Sequence, residues 1–221
     1  DAESVARAMA LELSNGVSVG CHWSYYQFTS VPHSRSQHVY FAWGPYHAAF
    51  NPEDGSRVDH FVYSGHIFDH YFAEAARGRA ELREPLARHG AAFVVCLFDD
   101  SLGAGAPTSR EVVAQFYRFF VRRLLADPTL GLIIKSKSPD DLMTDRVIAA
   151  LVREAQATGR SVFLGAEPEP GSDISSAMRC LPVEAAVAAD ISVGLGLPTN
   201  SAAIQVALAG MRSVCWDAAK H

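Results

Sequence analysis

From residue 91 onward, short apolar runs alternate with longer stretches of helical periodicity, and this alternation limits the fold more than any other feature of the chain. Residues 91–98 (AAFVVCLF) form a continuous apolar run, as a strand buried on both faces requires. Thr108 followed three residues later by Glu111 matches a capping box, and it predicts a helix carrying Val112, Phe116, Phe119 and Phe120. Asp127-Pro128 ends that helix, because a proline ring disfavours helical backbone in the residue before it. A second strand follows at 132–135 (LIIK). Ser138-Pro139-Asp140-Asp141 reads as N-cap, first-turn proline and acidic first turn of one helix running to Gly159. The same logic predicts a strand at 161–165, a short helix at 183–189 and a strand at 191–194. A small-residue helix, Thr199 to Ala209, is closed by Gly210, and a last strand spans 212–216. Strands and helices in strict alternation predict an α/β fold: an open parallel sheet with right-handed crossovers, a Rossmann-like unit.

The first 90 residues read differently. Of the 22 aromatic residues, 14 lie between Trp23 and Phe72, and eight of the nine histidines precede residue 90. Helical spacing at 2–13, short strands at 17–21 and 39–42, and a charged helix at 74–89 are the recognisable elements. We read 1–75 as the end of a preceding α/β domain with its linker, and 76–221 as the Rossmann-like unit, truncated at its C-terminus. The chain opens without Met and stops at Lys220-His221 just after an apolar run, as an excised piece of a longer protein would.

Composition removes several classes. A chain of 221 residues with 49% hydrophobic and 19% charged residues suits one large domain or two small ones, and opposes disorder or a coiled coil. A net charge of -5 argues against a nucleic-acid binder, whose phosphate-neutralising face tips the balance basic. No apolar run of about 18 residues predicts a membrane span, which leaves room only for peripheral association with the inner face of the membrane. Cys21, Cys96, Cys180 and Cys215 show no CxxC spacing and read as reduced thiols. With no secretory leader in view, a cytoplasmic location is expected.

Ligands of open parallel sheets bind beyond the carboxyl ends of the strands, so the loops there carry the candidates. After the fourth strand of this unit, Gly194 and Gly196 permit a tight turn, and Thr199, Asn200 and Ser201 stand at a helix N-terminus suited to an anion. Lys135 and Lys137 end the second strand and can neutralise a phosphate. Each feature also has a plainer reading, as a helix cap and as a solvated strand end. Glu167 and Glu169, in the loop after the third strand, are acceptors for a ribose or a base, or a stiff acidic surface. Asp99, Asp100 and Ser101 follow the first strand, where the two carboxylates either bind Mg²⁺ or face water; with no third ligand beside them, no metal is expected. The sequence matches neither GxGxxG nor GxxxxGK[ST]. Among the aromatic residues, Trp23, Tyr25, Tyr26, Trp43 and Tyr46 line a sugar cleft or pack a core. His22, His47 and His66 are the side chains there able to act as a base near neutral pH.

Four stretches, HWSYYQFTSVP, VYFAWGPYHAAF, HFVYSGHIFDHYF and ISVGLGLPTNSAAIQVALAGMRSVCWD, resemble bacterial surface-carbohydrate biosynthesis proteins of the GT-B glycosyltransferase type. The resemblance implies two facing Rossmann-like domains, of which the C-terminal one holds a nucleotide-sugar donor and the other a saccharide or glycolipid acceptor. It implies no separate cofactor, since the nucleotide sugar is a substrate, and no nucleic-acid partner. Thr199, Asn200 and Ser201 then face the donor phosphate, Lys135 and Lys137 form the basic strand end, and Glu167 lies near the nucleoside. Many such enzymes carry Glu one turn into the donor helix, where it bonds the ribose, whereas this chain has Gln205. The departure leaves the donor identity open. A nucleotide-sugar 2-epimerase of the same architecture and a non-catalytic donor-like assembly module are the alternatives.

Overall fold

The structure, a computed structural model, describes residues 2–22, 37–45, 57–67, 69–75, 79–100, 102, 108–164, 181–196 and 200–217. The chain divides into two compact units, Asp1–His70 and Tyr71–His221, each with its own parallel sheet.

The first unit has helix α1 (Ala2–Leu13) and strands β1 (Val19–Cys21), β2 (Val39–Ala42) and β3 (His60–Tyr63), paired in that order. At the amino end, the Ser18 N–H donates to His38 Nδ1 at 3.0 Å and the His38 N–H donates to Ser18 Oγ at 3.1 Å, which clips β1 to β2. Strand β3 (HFVY) is not among the expected strands. It has no buried face, so its residues show none of the alternation that signals a half-buried strand.

The second unit begins with the short helices α2 (Phe72–Ala75) and α3 (Arg79–Arg88). The alternation then runs β4 (Phe93–Phe98), α4 (Arg110–Ala126), β5 (Leu130–Lys135), α5 (Pro139–Thr144), α6 (Arg146–Ala157) and β6 (Ser161–Leu164). It continues with α7 (Pro182–Val187), β7 (Ile191–Leu195), α8 (Ser201–Leu208) and β8 (Ser213–Trp216). Five strands lie in the order β6-β5-β4-β7-β8, all parallel. The chain steps outward from β4 through β5 to β6, then returns to β7 on the other side of β4. This is the order of the first five strands of a doubly wound Rossmann-like sheet, 3-2-1-4-5, with its reversal between β4 and β7.

Side-chain alternation along β4 feeds two cores. Val95 and Leu97 pack with Val113, Phe116, Tyr117, Phe120 and Leu124 of α4 and with Ile148 and Val152 of α6. Val94, Cys96 and Phe98 pack with Leu86 of α3, Ala185 and Ala186 of α7, and Val206 of α8. Helices therefore cover both faces, which is why β4 reads as an unbroken apolar run.

Three local expectations are corrected. Helix α4 starts one residue later than the capping box suggests: Ser109 is the N-cap and accepts from Val112 N–H, while Thr108 donates instead to Asp100 at 3.3 Å. The segment 139–157 is two helices. Asp145 interrupts it by capping α6 through Val147 N–H and Ile148 N–H while also accepting from Arg110. Ser138 precedes α5 without a side-chain cap bond. Gly159 and Gly210 do end their helices with positive φ, 70° and 79°, as glycine after a helix end allows.

Candidate functional site

At the reversal the helices that follow β4 and β7 lie on opposite faces of the sheet, and it is outside the carboxyl ends of such strands that an open parallel sheet has its crevice. Asp99, the first residue beyond β4, stands there at 3% exposure. Its Oδ1 accepts the Lys137 N–H at 2.7 Å, and its Oδ2 accepts the Tyr117 hydroxyl at 2.8 Å from α4 beneath. Burial pushes the Asp99 carboxyl above its ordinary range. The Lys137 N–H, the Ser136 hydroxyl, the Tyr117 hydroxyl and the nearby Lys135 charge pull against that rise. Burial first, and then the Asp99 charge and hydrogen bond, push the Tyr117 hydroxyl well above its usual value. Asp99 thus neither faces water nor lies open to a metal, which corrects the expectation for this loop.

Lys135, Lys137, Asn200 and Ser201 share this rim, because β5 and β7 both flank β4 and run parallel to it. Lys137 is exposed, and its Nζ lies 3.0 Å from Asp100 Oδ1. Lys135 Nζ donates to the Ser136 carbonyl at 3.1 Å.

Asn200 plays a different part from the one expected of it. Its Oδ1 accepts from Ala202 N–H at 3.0 Å and Ala203 N–H at 3.2 Å, and its Nδ2 donates to Leu195 O at 2.8 Å and Asp99 O at 3.3 Å. A side-chain amide has two donors and two acceptor sites, so all of its capacity is committed within the protein. The cap also occupies two of the first-turn N–H groups that an anion would use. Asn200 braces this rim, and among its described residues the charged donors are the ammonium groups of Lys135 and Lys137.

Gly194 explains how α8 comes so close. It lies inside β7, which runs one residue past the expected end of that strand. A Cβ built there would stand 2.7 Å from Asn200 Cβ and 2.8 Å from Ala203 Cβ. On α8, Ala203 is buried, whereas Ala207 is exposed. Gln205 is half-buried, one turn beyond Ser201.

The first unit gathers its own cluster at the carboxyl ends of β1, β2 and β3. The His22 ring meets Trp43 edge-on at 4.8 Å between centroids, and His66 meets the same indole at 4.7 Å. Trp43 Nε1 donates to the His22 carbonyl at 2.9 Å, and the Tyr40 hydroxyl lies 3.4 Å from His22 Nδ1. His22 is 0% exposed and His66 6%. Burial holds the His66 imidazole below its usual value, partly offset by Asp69. Two imidazoles pack against the half-buried Trp43 indole.

Ser101, Thr199, Glu167, Glu169, His47, Trp23, Tyr25, Tyr26 and Tyr46 lie outside the described residues. Among the described residues, no group of three or more His, Cys, Asp or Glu side chains is placed to hold a metal, and no helix is long and apolar enough to cross a membrane. Tyr117 is the site residue that sequence reasoning missed. Its signal was a tyrosine on the apolar stripe of a helix, where a buried hydroxyl needs a partner. No protein-family profile matches the chain, and no curated protein matches it.

Proposed function

We propose that the chain is a glycosyltransferase that moves a sugar from a nucleotide-sugar donor to a growing cell-surface polysaccharide or glycolipid, with Tyr71–His221 as its donor-binding unit. The observation that carries the reading is the position of Lys135 and Lys137 at the carboxyl rim on one side of Asp99, with the N-terminus of α8 on the other. A diphosphate seated there meets two ammonium groups and the positive end of a helix. Lys137 has to exchange Asp100 for the ligand. An ion pair with one exposed partner is worth about 0–1 kcal/mol, so the exchange costs little. In the transfer step the anomeric carbon exchanges its bond to the phosphate oxygen for one to the acceptor hydroxyl oxygen, whose proton is released to solvent. Lys135 and Lys137 stabilise the charge left on the departing phosphate.

The test is thermal unfolding of the full chain with a panel of UDP-, GDP-, CDP- and CMP-linked sugars. A ligand at 100 times its Kd stabilises by about 2.7 kcal/mol, a readily measured rise in Tm. Lys137→Ala combined with Ser201→Ala should shrink that rise. Absence of a shift with every sugar nucleotide refutes the donor site. The commitment of Asn200 to its own helix and the Lys137–Asp100 pair favour one second reading, a donor-like module without catalytic activity. Binding without sugar release in the presence of saccharide acceptors supports that reading.

A further inference from the structure

Asp99 ties both sides of the crevice to the strand between them. Its carbonyl accepts from Asn200 on the β7 side, and its two carboxyl oxygens accept from the Lys137 main chain on the β5 side and from the Tyr117 hydroxyl of α4. A fold needs no ionisable residue at 3% exposure merely to fill space, because an isolated buried carboxylate is strongly disfavoured. What distinguishes Asp at this position is geometry. It presents separate acceptor oxygens to two donors at once, whereas Asn has one carbonyl oxygen and turns its NH₂ toward the second donor. Tyr117 is fully buried and its hydroxyl is spent on Asp99, so one turn of α4 is committed to holding this carboxyl in place. The residue whose backbone is fixed in turn is Lys137, the exposed cation of the rim.

We infer that Asp99, braced by Tyr117, is the positioning residue that sets the Lys137 main chain so that its ammonium meets a phosphoryl group at the crevice. This inference rests on the phosphoryl reading of the site.

The experiment is a double-mutant cycle on the full chain with inorganic pyrophosphate as probe, read by calorimetry, together with amide exchange of each variant. Asp99→Asn is expected to weaken pyrophosphate binding about tenfold in the parent, and by less than about twofold once Lys137 is alanine, the residual affinity being that left by Lys135. Tyr117→Phe removes a single hydroxyl, is expected to follow the same pattern at about threefold, and carries the cycle should Asp99→Asn fail to fold. The Lys137 N–H is expected to exchange faster in both variants, while the amides of Leu132 and Ile134 do not change. Equal weakening with and without Lys137 overturns the inference, because a merely structural role acts on both backgrounds alike. No weakening in either background overturns it as well. Should the parent itself bind no pyrophosphate, the phosphoryl reading falls. Amide exchange then decides separately: selective loss of Lys137 protection upholds Asp99 as the brace of this loop, and unchanged protection overturns it.

Discussion

Replacing Gly194 by alanine tests whether the close seat of α8 on β7 is what frames the crevice. The new methyl carbon would stand 2.7 Å from Asn200 Cβ and 2.8 Å from Ala203 Cβ, where ordinary contacts begin near 3.4 Å. The N-terminus of α8 therefore has to retreat by roughly 0.7 Å, or β7 has to bend away, in an interior packed too densely to absorb the shift. Overpacking of this kind costs about 1–3 kcal/mol. The retreat also stretches the Asn200 bonds to the Leu195 and Asp99 carbonyls, each worth about 1 kcal/mol. A total loss of about 2–4 kcal/mol follows, read as a lower urea midpoint at unchanged slope. Gly44→Ala is the control, because a methyl there meets nothing within 4 Å, and it should fall within about 0.5 kcal/mol of the parent. A Gly194→Ala protein as stable as that control refutes the packing argument, and with it the account of how Asn200 is held.

Arg160 donates to the carbonyls of Leu124 at 3.0 Å and of Asp127 and Leu130 at 2.7 Å, joining the end of α4 to the start of β5. Arg160→Met should cost about 3 kcal/mol in urea unfolding, since it leaves part-buried carbonyls without their donor. Asp190 accepts both the Arg83 guanidinium at 2.8 Å and the Val94 N–H at 2.7 Å at the opposite rim. Asp190→Ala should therefore cost about 2 kcal/mol, since it leaves the Val94 N–H and the Arg83 guanidinium without their acceptor. His66 is held below the ordinary histidine value of 6.5 by burial. The unfolded chain takes up the proton first as pH falls, so this contribution to stability is present above pH 6.5 and is lost as pH falls through the lower folded value. A melting series from pH 7.5 to 5 should show that loss in the parent and a flatter profile in His66→Gln. Asp99 acts with the opposite sign. Its raised folded value favours the fold at acid pH, and the benefit is lost as pH rises through that value, so Asp99→Asn should narrow the loss of stability from acid to neutral pH.

The parallel sheet of the second unit was legible because each strand carries its own apolar run and each helix its own punctuation, such as Asp127-Pro128, Gly159 and Gly210. The break at Asp145 was not, since an aspartate in mid-helix looks like a surface residue until Val147, Ile148 and Arg110 are seen to converge on it. Strand β3 escaped notice because exposure on both faces erases the period-two signal. At the candidate site, the place of Lys135 at the end of a buried strand, with Lys137 just beyond it, was readable from the apolar run before them. The commitments of Asn200 and Asp99 were not, because their partners lie on other elements, up to 101 positions away in the chain.

Local preferences are written along the chain: which segments are apolar enough to be strands, and where helices stop. Those follow from neighbours a few residues apart, whose chemistry acts before any fold exists. The order of the strands, the reversal between β4 and β7, the space that Gly194 leaves for α8 and the burial of Asp99 beneath Lys137 are contacts between distant segments. They exist only once packing has chosen which elements become neighbours, and burial then changes what the same side chains can bind and when they hold a proton.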